Sequence, residues 1–258
     1  MMRLIFLGTG TSTGVPMLNC DCKVCTSSDP RDRRRRCSAI VETPGGNILI
    51  DCGPDFVSQI LDNFNFRPID AVLFTHSHYD HVGGTDDLRP YCTEEGLPLY
   101  CTEDVEADLR ARIPYCFREH PYPGVPKFVF KTLVPFRRVE VCGEEVVPLD
   151  IIHSPLIPDI LGFRIGKNLA YITDAVKVPE ETMEAIAGID TLVINALRIK
   201  PHGSHQSLGQ ALEVIRKVNP GRSYLIHLSH DMGLHSEVSA ILPAGVTIAY
   251  DGLSIEIP

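Results

Sequence analysis

The stretch FTHSHYDHVGG, residues 74–84, sets His76, His78, Asp80 and His81 within six positions. All four side chains carry metal-binding atoms, and imidazole with carboxylate suits zinc, iron or manganese. In extended backbone, residues i and i+2 point the same way, so His76 and His78 can grip one cation from one side. A turn into helix after them aims Asp80 and His81 elsewhere, toward a second cation nearby. Gly83-Gly84 permits the close backbone turn that such a loop needs. A solitary histidine is an ordinary surface or core residue, whereas H-x-H-x-D-H is a ligand pattern. Two metals need more than four ligands. His153 follows the apolar run PLDII, Asp174 follows LAYIT, and His227 lies within SYLIHLSH. Each follows or sits in a buried-strand pattern, which would place all three on one edge of the sheets.

A second cluster lies in NCDCKVC, where Cys20, Cys22 and Cys25 form C-x-C-x2-C in a loop. Three thiolates suit a tetrahedral structural zinc that still lacks one ligand. Cys37 is one candidate for the fourth. The chain has nine cysteines, an odd number in a long chain, so clustered ones are expected to be ligands rather than disulfides. Cys52, Cys92, Cys101, Cys116 and Cys142 are expected to be core or free thiols.

Elements must carry these residues to one place. Apolar runs predict strands at 3–8, 38–43, 47–52, 71–75, 145–152, 160–165, 169–173, 191–196, 223–228 and 246–250. Gly45-Gly46 predicts a hairpin turn between two of them. PEETMEAIAG predicts a helix with Pro179 near its first position, acids in its first turn and Gly188 after its end. SLGQALEVIRKVNPG predicts another, capped by Ser207, with Leu208, Ala211, Leu212, Ile215 and Val218 as its apolar stripe. Strands alternating with helices late in the chain suggest sheets covered by helices. Residues 85–145 are rich in proline and are expected to be a variable insert over the core. No linker divides the chain, so residues 1–258 are expected to form one domain.

With 258 residues and 44% hydrophobic content the chain can bury a sizeable core. Its net charge of −9 gives no overall attraction to nucleic acid or an anionic membrane. No run approaches the roughly 20 apolar residues of a membrane span, and the N-terminal apolar run is too short for a signal peptide. A cytoplasmic location is expected. Arg31 to Arg36 is a local exception in charge: it predicts a solvated loop, with a small anion site as the sharper reading, since arginine matches phosphate geometry.

The motif H-x-H-x-D-H after a strand resembles the signature of the metallo-β-lactamase superfamily. That resemblance implies an α/β fold, a four-layer αβ/βα sandwich with a dinuclear site along one edge. It implies His76, His78 and His153 on one metal, Asp80, His81 and His227 on the other, and Asp174 bridging both. Within the superfamily, GTGTSTGVP (8–16), the thiolate loop, RRRCSAIV (34–41), YITD and SHQSL (204–208) are similar to the phosphoribosyl 1,2-cyclic phosphate phosphodiesterases of the carbon–phosphorus lyase pathway. That subgroup implies His230 as the fourth ligand of the thiolate zinc and a homodimer. The likeness is weak over 85–145, and IIHSPLIPDILGF is longer than its counterpart.

The resemblance implies two divalent metals, manganese or zinc, about 3.5–4 Å apart with a nucleophilic hydroxide between them. Asp80 counts among the catalytic residues as well as the ligands. A leaving alkoxide needs a proton, and His205, just before the Ser207-capped helix, is the candidate general acid, with His202 as its rival. The expected substrate is a small cyclic phosphodiester such as 5-phosphoribosyl 1,2-cyclic phosphate. Alternatives are an RNA-trimming or other hydrolase of the same fold, disfavoured for RNA by the acidic charge. A non-hydrolytic role like that of the pyrroloquinoline quinone biosynthesis B proteins and an iron redox protein complete the set.

Overall fold

All ten predicted runs form strands in the computed structural model, which describes residues 1–120, 122–154 and 160–258. The first sheet holds β1 (Met2–Gly8), β2 (Ser38–Thr43), β3 (Gly46–Ile50), β4 (Ala71–Leu73), β5 (Leu97–Cys101) and β6 (Phe128–Thr132). The second holds β7 (Val139–Val141), β8 (Glu144–Ile151), β9 (Ile160–Ile165), β10 (Leu169–Ile172), β11 (Thr191–Asn195), β12 (Arg222–Ile226) and β13 (Val246–Ile248). The C-terminal β14 (Ser254–Ile257) returns to pair with β1. The strand orders are β14-β1-β2-β3-β4-β5-β6 and β13-β12-β11-β10-β9-β8-β7. Each sheet is antiparallel over half its width and parallel over the other half.

Alternation along the strands makes the layers. Leu4 and Phe6 of β1 face inward and join Phe163, Tyr171, Val193 and Ile226 of the other sheet in one core. Ile5 and Leu7 face outward onto α1 (Phe56–Asn63). On that outer face α3 (Glu103–Arg112) adds Val105 and Leu109. α4 (Glu180–Ala185) and α5 (Leu208–Val218) cover the second sheet's outer face through Met183, Leu208, Ala211, Val214 and Val218. Each large apolar side chain removed from water contributes about 1.5–3 kcal/mol. The result is helix, sheet, sheet, helix: the four-layer αβ/βα sandwich. No helix among the described residues is long and apolar enough to cross a membrane.

Several local expectations need correction. Residues 85–145 are not merely an insert: β5 and β6 extend the parallel half of the first sheet, β7 edges the second, and α3 packs on the core. Their pattern is weak because β6 is an edge strand, half-buried at best. The hairpin closes on Pro44-Gly45, with Thr43 paired to Gly46 at φ 145°, one residue earlier than expected. Ser207 does cap α5, in a reciprocal capping box with Gln210. Val214 takes a fully inward place, whereas Leu212 and Ile215 are only partly buried. The arginine run is not a solvated loop throughout. Arg34 is buried, and Arg35 and Arg36 pair with Asp62 and Asp55. Of IIHSPLIPDILGF, residues 155–159 lie outside the described residues, and with them the question of its length.

Candidate metal centre

The ligand candidates stand where strands end. β4 stops at Leu73, and the chain passes through Thr75 to His76 and His78 before α2 (Tyr79–Val82), which carries Asp80 and His81. β8 leads to His153, β10 to Asp174 and β12 to His227. β4, β10 and β12 belong to the parallel halves, so their C-terminal ends share one edge, where open α/β sheets place their ligands. Asp174 and His227 turn off their strands with φ of 55° each. Such left-handed backbone in non-glycine residues is uncommon and clusters at functional sites.

The edge gathers three groups, in each of which the ligand atoms lie within 4.8 Å of one another: His76, His78 and His153; Asp80, His81, Asp174 and His227; and His153, Asp174 and His205. Asp174 thus belongs with residues of both expected metal positions. His81 Nε2 stands 3.2 Å from both Asp80 Oδ2 and Asp174 Oδ2, and His227 Nε2 stands 3.1 Å from Asp174 Oδ1. Yet the Nε2 atoms of His76, His81 and His227 are buried with no hydrogen-bond partner among the described residues. Buried polar atoms ordinarily find partners. Imidazole nitrogens left without partners and aimed at carboxylate oxygens fit a divalent cation between them.

The surroundings select which ring nitrogen faces inward. Asp51, fully buried after β3 with φ 58°, accepts hydrogen bonds from the Thr75 backbone N–H and Oγ1 at 2.8 Å each. His81 Nδ1 donates to its Oδ2 at 2.7 Å, leaving Nε2 for a metal. His76 Nδ1 lies 3.0 Å from Thr75 Oγ1, and His153 Nδ1 donates to the Ser204 carbonyl at 3.1 Å. The Asn195 amide brackets the peptide after Asp174, accepting from Ala175 N–H and donating to Ala175 O, both at 2.9 Å. α3 braces the metal loop: Ser77 Oγ donates to Asp108, and Arg112 donates to the Ser77 carbonyl. Burial, the largest single influence, opposes charge on His227, but the Asp174 and Asp80 carboxylates together outweigh it and raise the pKa to about 9. Burial would likewise raise Asp80 and Asp174, yet His81 and His227 hold both well below the usual carboxylate range.

His205 is mostly buried, its Nδ1 3.7 Å from Asp174 Oδ1, with its ring 4.8 Å from that of His227. His202 lies farther out, stacked 5.7 Å from His205, its Nδ1 facing the Ser204 hydroxyl. It joins none of the ligand groups. Asp51 is the residue that sequence reasoning missed. Its signal was present, since an aspartate ends the apolar run NILI as Asp174 ends LAYIT.

A second donor set forms apart from the first. Cys20, Cys22, Cys25 and His230 gather within 4.8 Å, with His230 Nδ1 3.5 Å from Cys20 Sγ and 3.4 Å from Cys22 Sγ. The Cys25 N–H points at Cys22 Sγ and helps draw that thiol to about 6, while burial pushes Cys25 up to about 11. Three thiols and one imidazole match a closed tetrahedral zinc site. Cys37 is excluded from it, being fully buried beside Thr173 and His227.

Comparison with known proteins agrees with this architecture. Over 98% of this chain and 96% of its own length, a diphosphatase of the PhnP family superposes with a TM-score of 0.90 and 38% identity. Zinc-bound PqqB from Methylobacterium extorquens superposes with a TM-score of 0.79 and 23% identity over 98% of this chain and 99% of that one, a likeness of fold. An octanoyltransferase of Porphyromonas gingivalis is 44% identical over 98% of this chain, which spans about half (51%) of that relative's length. The model of the β-lactamase superfamily domain matches residues 46–228, the span that holds every residue of the edge cluster. On that match, which covers well over half of the sequence, the chain belongs to the β-lactamase superfamily, in its metallo-β-lactamase fold.

Proposed function

We propose that the chain is a dinuclear metal-dependent phosphodiesterase that opens a small cyclic phosphodiester of the 5-phosphoribosyl 1,2-cyclic phosphate type. The observation that carries this reading is the shared position of Asp174, within ligand distance of His81 and His227 on one side and of His153 and His205 on the other. Manganese or zinc held there supplies Lewis acidity toward phosphoryl oxygens and lowers the pKa of bound water. His76, His78 and His153 would hold one cation, Asp80, His81 and His227 the other, and Asp174 both. Among the described residues the donors of this cluster are nitrogen and oxygen, with no thiolate. The PhnP-family diphosphatase supports phosphoryl chemistry at such a site.

The chain's own residues do the rest. Asp51 fixes the His81 tautomer, and Ser204 does the same for His153. His205 is the general acid of this reading. As a bare side chain its pKa is pressed down to about 3, first by burial and then by His227. The Cys20, Cys22, Cys25 and His230 set would hold a structural zinc that ties the N-terminal loop to the segment presenting His227.

Phosphorus NMR on protein loaded with manganese tests the reading, using 5-phosphoribosyl 1,2-cyclic phosphate, 2′,3′-cyclic nucleotides and a linear diester. Fast opening of the ribose 1,2-cyclic phosphate is expected. Silence across the panel with both metal positions filled would sink it and promote a non-hydrolytic role. A second reading, a reaction on an octanoyl group, rests on the octanoyltransferase relative, about half of whose length this chain spans. An octanoyl thioester added to the panel separates the two.

A further inference from the structure

Gln206 follows His205 in the chain and is only 2% exposed. Its backbone is fully used: the N–H donates to the Ala175 carbonyl at 2.9 Å, and the carbonyl accepts from Leu197 N–H at 2.8 Å. Its side chain is left over. Oε1 is buried with no hydrogen-bond partner, and among the described residues Nε2 donates to nothing. The neighbouring Ser207 and Gln210 satisfy each other in the capping box and offer it no help. Buried polar groups ordinarily find partners, and one left without any bears its full desolvation cost.

This residue lines a cavity of about 340 Å³ formed by α4, α5 and the segments next to His153 and Asp174. None of the metal-centre residues lines it. Ile152, Val176, Val178, Met183 and Val214 give it apolar walls. The walls are tied together by the main chain: Ile152 N–H donates to the Lys177 carbonyl at 3.1 Å and Val176 N–H to the Ile152 carbonyl at 2.9 Å. Its charged lining balances, with Lys177 and Lys217 against Glu180 and Glu213, and Lys217 stands 3.7 Å from Glu213. A concave site of this size, apolar apart from a few polar groups, is the usual form of a small-molecule pocket, and its balanced charge favours a neutral occupant.

We propose that this cavity binds a small neutral ligand carrying a planar amide-type edge, a donor beside an acceptor, which pairs with the Gln206 amide. A glutamine side chain offers the complementary pair of groups, and such two-point pairing is how it meets the N6 amino group and N7 of adenine. A half-turn of the amide exchanges its oxygen and nitrogen without changing its shape, so either order of donor and acceptor on the ligand is met. Two sources share this chemistry, a nucleobase and a carboxamide. The site does not depend on the reaction at the metal centre.

The test is an amide-resolved NMR titration of zinc-loaded protein with adenine and, separately, with nicotinamide. Purine, which lacks the amino group of adenine, and methyl nicotinate, which lacks the amide N–H, are the matched controls. Saturable shifts at Val176, Val178 and Met183 are expected with an amide-edged probe, and binding about tenfold weaker with its control, the scale of one buried hydrogen bond left unmade. Gln206→Leu keeps the bulk and removes the amide; it is expected to keep or raise the thermal midpoint and to erase the difference between probe and control. The comparison of probe and control in the wild-type protein decides the matter without the variant. Tighter binding of adenine would identify a nucleobase as the source, and tighter binding of nicotinamide a carboxamide. Absence of saturable shifts at these three amides, shifts confined to Asp80, His81 and His227, equal affinity for probe and control, or an unchanged preference in Gln206→Leu would overturn the proposal.

Discussion

Replacing Asp51 by asparagine isolates what the buried carboxylate does for the metal centre. The change keeps shape and volume and removes the charge. In the wild type Oδ1 accepts from Thr75 N–H, and Oδ2 accepts from Thr75 Oγ1 and His81 Nδ1. An asparagine that keeps the Thr75 N–H bond through its carbonyl must turn its NH2 toward His81 Nδ1. Two donors then face each other, so His81 shifts its proton to Nε2. That atom lies 3.2 Å from Asp80 Oδ2 and Asp174 Oδ2, where a metal needs a bare lone pair. Loss of such a supporting carboxylate costs about 10–100-fold in metal affinity, or about 1.4–2.7 kcal/mol. Chelator competition with zinc, followed by metal analysis, reads this directly and without reference to turnover. The cation at Asp80, His81 and His227 is expected to weaken by that factor. The Cys20, Cys22, Cys25 and His230 site serves as internal control and should keep its zinc. Wild-type affinity at both centres in Asp51→Asn would refute the tautomer argument. Equal weakening at the cysteine site would show general destabilisation instead.

His205→Ala should leave metal content intact and slow turnover more on alkyl than on nitrophenyl phosphodiesters; equal slowing on both would remove the general-acid role. His230→Ala should release the zinc of the cysteine site alone, seen as a fall in bound zinc with the edge cluster still loaded, and should expose residues 17–30 to protease. Ser207→Ala removes the hydroxyl that caps α5 and is expected to cost about 1 kcal/mol in denaturant unfolding. Burial first of all holds the Asp251 carboxyl up to about 6. A raised folded pKa means stability from this group is full below about pH 4 and is lost as pH rises through about 6. At about 1.4 kcal/mol per pKa unit the loss is at most about 3 kcal/mol. Asp251→Asn should flatten that part of the stability profile between pH 4 and 7, and an unchanged profile would contradict it.

The ligands of the metal centre were legible because the chemistry is local where it is densest. His76, His78, Asp80 and His81 share one short loop, and backbone alternation alone tells which of them act together. The ten strand runs were legible for a related reason: strands buried on both faces are nearly continuous in apolar residues. β5, β6 and α3 escaped because they lie toward the margin of the first sheet, where one face is half open and the pattern fades. Asp51 escaped although it ends an apolar run, because a carboxylate that supports a ligand has no spacing of its own. Only the tertiary structure decided that His153, Asp174 and His227 meet. They come from strands far apart in sequence, joined at one edge by the parallel halves of the sheets and by left-handed turns at Asp174 and His227. The same holds for His230 against the thiolates, and for Arg34, whose side chain a local charge pattern places in water. The folded chain buries it against Thr9 and Ala249, because long-range packing, which no local run encodes, determines which guanidinium loses its solvent.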